Sequence, residues 1–213
     1  MADALEKMAQ ALIAGQIEEV GKLAQEALDD GSTPDDVMNK GLFAGMEVVS
    51  KRFKEQDMFI PEVLRSAKAM HAGLDVLKPV LTESSRSGAG TVVIATVEGD
   101  LHDIGKNLAA MMLEGAGFNV INLGIDQKAK QIIEAVKEYK PKILGLSALL
   151  TTTMPKMPEV IEALKSEGIR DQVKVIIGGA PVTQEFAEEI GADAYAANAA
   201  LGTEKAQALM KSA

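Results

Sequence analysis

The run Thr91-Val92-Val93-Ile94-Ala95-Thr96-Val97 passes directly into Glu98-Gly99-Asp100-Leu101-His102-Asp103-Ile104-Gly105-Lys106-Asn107. The first part is apolar and β-branched, the composition of a buried strand. A helical pattern begins near Lys106. The segment between them is therefore a loop from strand to helix, where α/β proteins keep their ligands. Asp100 and His102 stand two residues apart in it, and Gly105 permits a tight turn into the helix. A carboxylate beside a histidine fixes one ring nitrogen and leaves the other for a metal.

The strand–helix alternation continues to the end of the chain. Strands are expected at Thr91–Val97, Asn119–Leu123, Lys142–Ser147, Lys174–Ile177 and Ala194–Ala196, and helices at Lys106–Gly115, Ala129–Tyr139, Pro158–Glu167, Thr183–Glu189 and Ala200–Lys211. The inner strands are short and nearly all apolar, as in a parallel sheet covered on both faces. Five alternating units predict an α/β fold with a doubly wound, five-stranded parallel sheet of order 2-1-3-4-5. In that order strands 1 and 3 are neighbours whose connections leave on opposite faces. The crevice at their carboxyl ends is the place for a ligand. The loop after strand 1 carries Asp100 and His102, the turn after strand 3 carries Ser147 and Leu149, and the turn after strand 4 carries Gly178 and Gly179.

Upstream, the period changes. Leu5, Met8, Ala9, Leu12 and Ile13 recur at helical spacing, followed by Ile17, Val20, Leu23, Ala24, Ala27 and Leu28. Gly31-Ser32-Thr33-Pro34 stops one helix and starts another, with Thr33 as cap and Pro34 at the first helical position. Val37, Met38, Leu42, Met46, Val49 and Phe53 form the third stripe. Pro61 opens a fourth helix running to Leu77. Four helices with short turns predict a small bundle. Thr82 to Gly90 is polar, small and without period, and reads as a linker. The domains are accordingly placed at 1–88 and 89–213.

The chain has 213 residues, is 47% apolar and 25% charged, and carries a net charge of −9. That balance argues against a nucleic-acid partner, which needs a basic footprint. No cysteine is present, which excludes disulfides and thiolate chemistry. No apolar run approaches the roughly 18 residues that span a bilayer. The first residues show neither the basic nor the apolar region of a secretory signal. A soluble cytoplasmic protein without a membrane partner is expected. With 3% aromatics, the core must be aliphatic and methionine-rich. The second histidine, His71, lies within a helical pattern with no acidic neighbour in sequence and is assigned a packing or solvated role.

Asp100-x-His102-x-x-Gly105, Ser147-x-Leu149 and Gly178-Gly179 resemble, in order, the three signature motifs of the cobalamin-binding domain of methionine synthase and of the corrinoid proteins of methyltransferase systems. The spacings are 41 residues between Gly105 and Ser147 and 28 between Leu149 and Gly178. Gly45 to Phe53, continued by Met58-Phe59-Ile60-Pro61, resembles the helical cap of the same family, so the likeness covers nearly the whole chain. It implies a four-helix cap ahead of a flavodoxin-like, Rossmann-like domain that binds cobalamin or a related corrinoid.

The resemblance also implies roles. His102 is the axial ligand to cobalt in place of the cofactor's own lower base. Asp100 accepts the hydrogen bond of its other ring nitrogen, and Ser147 bonds the far oxygen of Asp100. Leu101, Asp103 and Ile104 belong to the cofactor-binding set, and Thr151-Thr152-Thr153 follows the strand 3 turn, with Thr151 at the corrin edge. Gly105, Leu149, Gly178, Gly179 and Ala180 line a slot for the nucleotide tail, and Tyr195, Asn198 and Ala199 lie near its end. Phe53 and Ile60 cover the reactive upper face. The expected activity is that of a methyl carrier, not an enzyme by itself. It would be served by a substrate-specific methyltransferase, by a second methyltransferase passing the methyl group to coenzyme M or tetrahydrofolate, and by a reductive activase. The alternatives are a module of a methionine-synthase-like enzyme and a cobalamin-dependent sensor. A receiver domain is disfavoured, since Ser147-Ala148-Leu149 supplies no phosphorylatable Asp.

Overall fold

The computed structural model describes residues 2–80 and 89–211. All but the last two residues of the expected linker lie outside that range. The chain divides into two compact units, Met1–Gly88 with Gly115–Gly117, and Ala89–Glu114 with Phe118–Ala213.

The first unit is helical: α1 (Ala2–Ile13), α2 (Ile17–Asp29), α3 (Pro34–Asp36), a π-helical stretch Val37–Phe43 running into α4 (Ala44–Lys54), and α5 (Ile60–Leu77). The third stripe of the sequence is thus one helical rod whose first part is wound as a π-helix. Thr33 caps it as expected, its Oγ1 accepting from the Asp36 N–H at 3.1 Å. Met8, Leu12, Val20, Leu42, Val49, Val63, Met70 and Leu77 are buried in the core. Each such side chain withdrawn from water contributes about 1.5–3 kcal/mol. The helices approach closely at Gly73, where a Cβ would come within 2.6 Å of Leu42 Cδ2.

The second unit alternates β1 (Thr91–Thr96), α6 (Ile104–Gly115), β2 (Asn119–Asn122), α7 (Ala129–Tyr139), β3 (Ile143–Ser147), α8 (Lys156–Ser166), a 3-10 turn Arg170–Gln172, β4 (Lys174–Gly178), α9 (Gln184–Ile190), β5 (Ala194–Ala196) and α10 (Ala199–Lys211). The strands are all parallel in the order β2-β1-β3-β4-β5. The expected order is therefore the observed one. Thr96 pairs with Ser147 and Ser147 with Gly178, so the carboxyl ends of β1, β3 and β4 lie level.

Strand alternation separates two very different faces. Val93, Ala95, Leu144, Leu146, Val175 and Ile177 face a dense core with Ile132 and Val136 of α7 and Met157, Ile161 and Leu164 of α8. Val92, Ile94, Ile143, Gly145 and Ile176 occupy the alternate positions, and there the sheet borders an open cleft flanked by α6 and α10. Helices α6 and α8 each begin two residues before the expected start, at Ile104 and Lys156.

Candidate functional site

The cleft has a volume of about 540 Å³. Its mouth lies at the carboxyl ends of β1, β3 and β4, where the loop 97–103 leaves the sheet. His102 stands at that mouth with its side chain half exposed. Leu101 and Ile104 are 67% and 70% exposed beside it, and Leu149 and Leu150 are 42% and 41% exposed on the facing turn. An exposed apolar cluster of this kind marks a contact surface.

Asp100 is completely buried behind His102 and accepts five hydrogen bonds. Its Oδ1 takes the His102 backbone N–H at 3.0 Å and lies 2.8 Å from His102 Nδ1. Its Oδ2 takes the Leu149 N–H at 2.7 Å, the Leu150 N–H at 3.3 Å and the Thr153 hydroxyl at 2.7 Å. Burial alone pushes the carboxyl up. The bonds from Thr153, the backbone of His102 and Leu149 and the His102 ring outweigh it, and hold the group well below the usual carboxylate range. The carboxylate is therefore an anion and only an acceptor. Facing that anion, His102 Nδ1 is the donating ring nitrogen, so that in a neutral ring Nε2 is the one with the lone pair. The loop itself is pinned, since Thr96 Oγ1 donates to the His102 carbonyl at 3.0 Å and the Gly99 N–H to Asp126 Oδ1 at 2.7 Å.

Three expected residues stand differently. Ser147 makes none of the Asp100 hydrogen bonds. It ends β3 and lines the cleft. The side chain that meets the far carboxylate oxygen is Thr153, six residues on, in the turn 148–155. Thr151 is exposed and does not line the cleft. Tyr195 is also absent from the lining. Strand parity turns it to the opposite face, where it packs against the α7–α8 core, and presents Ala196 instead.

The other expected residues of this unit converge. Leu101, Asp103, Ile104, Gly105 and Leu149 line the cleft with His102, and Gly178, Gly179, Ala180, Asn198 and Ala199 line its other wall. Phe53 and Ile60 belong to the helical unit, where Phe53 is half-buried and Ile60 is 42% exposed at the start of α5. The glycines have different reasons. At Gly179, with φ +134°, a Cβ would lie 1.8 Å from the Ala148 carbonyl oxygen, so the fold requires the glycine. At Gly105, which lines the cleft, a Cβ would meet nothing within 4 Å, so the packing of the fold does not require the glycine.

The sequence reading missed a polar cluster at the start of α6. Lys106 is buried, and its Nζ donates to Asn107 Oδ1 at 2.6 Å and Asn122 Oδ1 at 2.7 Å. Asn107 Nδ2 donates to Asp103 Oδ2 at 2.9 Å. Burial pushes the Lys106 ammonium down, against the attraction of Asp103. The cluster ties the first turn of α6 to β2.

Among the described residues no three His, Asp or Glu side chains gather to hold a free metal ion. A lone histidine with a fixed tautomer instead suits a metal that brings most of its own ligands. The apolar rim suits the flat face of a macrocycle, and the side-chain-free wall at Gly105 leaves room for a tail. The residues present therefore fit a corrinoid.

The comparisons agree. Family models described as B12 binding domain match residues 4–78 and 90–203. Trimethylamine corrinoid protein 1 of Methanosarcina acetivorans is 46% identical over 191 residues, 89% of this chain and 88% of that protein. Dimethylamine corrinoid protein 1 of the same organism is 48% identical over 178 residues, 83% and 84% of the two chains. A solved structure of the methanol:cobalamin methyltransferase complex MtaBC from Methanosarcina barkeri superimposes with a TM-score of 0.90 at 34% identity, covering 99% of this chain and 81% of that one. The buried Asp100, the His102 it orients and the open cleft beside them sit in a chain that belongs to the B12-binding corrinoid proteins of methyltransferase systems.

Proposed function

We propose that this chain carries a methyl group between two enzymes. One is a substrate-specific methyltransferase that delivers it. The other is a methyltransferase that passes it to an acceptor such as coenzyme M or tetrahydrofolate, with a reductive activase restoring the carrier. The observation that carries this reading is the half-exposed His102 at the mouth of the cleft, held by the buried Asp100. When bound, the corrinoid supplies a cobalt centre able to take up and release a methyl group. His102 would hold the metal through Nε2. The nitrogen can serve as a ligand only while it is unprotonated. Three donors on the far oxygen keep Asp100 an anion, so that it would hold the His102 ring in one orientation toward the cofactor.

Activating a methylamine needs a general acid or a metal in a shaped pocket, which a partner enzyme would provide. The relatives named for trimethylamine and dimethylamine, and the likeness to a chain of a methyltransferase complex, support the same division of labour.

The test is to incubate the reduced, corrinoid-loaded chain with methylamines, methanol or betaines, with and without a cognate methyltransferase. Methyl transfer is expected only with the partner. Rapid multiple turnover by the chain alone would overturn the carrier reading.

A further inference from the structure

The loop 97–103, which carries Asp100 and His102, is flanked by the segment that leaves β2. That segment runs on beside the end of β1. The Leu123 N–H donates to the Ile94 carbonyl at 2.9 Å, the Thr96 N–H to the Gly124 carbonyl at 3.0 Å and the Gln127 N–H to the Thr96 carbonyl at 3.0 Å. Asp126 then reaches across to the loop itself. Its Oδ1 accepts the Gly99 N–H at 2.7 Å, and its own N–H donates to the Asp100 carbonyl at 3.1 Å. One residue therefore grips the stretch Gly99–Asp100 at both ends. To do so it holds φ at +53°, in the left-handed region that few L-residues enter, Asp and Asn most readily. Asp126 is exposed and does not line the cleft.

We propose that Asp126 is a positioning residue for the axial histidine. Asp100 Oδ1 lies 2.8 Å from His102 Nδ1, so a shift of the Asp100 backbone is passed through the ring to Nε2. A bond to a metal tolerates only about 0.2 Å of displacement. The clamp from Asp126 keeps the backbone of Asp100 within such limits. The inference rests on the reading of His102 as the metal ligand and extends it to a side chain 24 positions downstream, on a different loop.

The experiment is a double-mutant cycle on the full chain. The cofactor-free protein is titrated with hydroxocobalamin, and Kd is read from the visible spectrum. Two variants separate the acceptor from the backbone angle. Asp126→Asn keeps an oxygen acceptor in a residue that tolerates the angle. Asp126→Gly keeps the angle and removes the acceptor. With His102 present, the Gly variant is expected to raise Kd about threefold or more and the Asn variant by less than about twofold. In a His102→Ala background, Asp126→Gly is expected to change Kd by less than about twofold, because the residue acts through the histidine. A merely structural role would weaken binding equally in both backgrounds, and that result would overturn the proposal. So would a Gly variant that binds as the wild type does, or an Asn variant as weak as the Gly variant. Asp126→Ala, read in the same cycle, serves if the Gly variant folds poorly. If His102→Ala alone binds as tightly as the wild type, the ligand assignment fails and takes the proposal with it. That result is distinct from an intact histidine effect that Asp126 does not modulate.

Discussion

At the scale of single residues, the site depends on a carboxylate that is both buried and ionised. Thr153 donates to it and Ser147 does not. Thr153→Val removes a hydrogen bond to a buried charge and should lower stability by about 2 kcal/mol in urea unfolding. Ser147→Ala should change it by less than about 0.5 kcal/mol. Equal effects would return Ser147 to the relay. The pH dependence follows from the same bonds. Folding lowers the Asp100 pKa from its ordinary 3.8, so its contribution is complete above that value and is lost as pH falls through the depressed folded one. Asp100→Asn should therefore weaken the protein near neutral pH and flatten the acid limb of its stability curve, as read from unfolding midpoints between about pH 7 and about pH 3. The Asp100–His102 contact was legible because it is local, two residues within one loop. The contact with Thr153 spans 53 positions and depends on how a turn folds back, which no spacing in the sequence encodes.

At the scale of elements, the glycines that frame the cleft separate the demands of the fold from those of the ligand. Gly179→Ala drives a Cβ into the Ala148 carbonyl at a backbone angle that L-residues avoid, and should cost about 2 kcal/mol or more, with the midpoint of unfolding reporting it. Gly105→Ala, in the first turn of α6, should leave the cofactor-free protein as stable as before or up to about 1 kcal/mol more stable. It should nonetheless weaken corrinoid binding, because the new methyl group projects into the cleft. A stable variant with unaltered affinity would remove Gly105 from the binding wall. Strand order, the crevice and the three motif turns were readable from alternation, since each strand is a short apolar run between turn residues. The side to which each β5 residue points was not. With Tyr195 and Ala196 adjacent, a family likeness to the final loop cannot say which of them faces the ligand, whereas pairing with β4 settles it.

At the scale of the whole molecule, the sheet packs aliphatic side chains densely on one face and leaves the other open between α6 and α10, and that asymmetry makes it a cofactor holder. The sequence could not show it, because near-continuous apolar strands look alike on both faces. The helical unit was legible as four amphipathic stripes, but the π-helical winding of Val37–Phe43 leaves no mark in that periodicity. The central claim is that His102 supplies the lower ligand of the bound metal. The direct measurement is electron paramagnetic resonance of the corrinoid-loaded chain in its Co(II) form, prepared with ordinary histidine and with histidine carrying the heavy nitrogen isotope. Coordination by His102 predicts that the three-line nitrogen splitting becomes two-line on labelling and is lost in His102→Ala. A splitting that ignores the label would come from the cofactor's own base and would contradict the assignment.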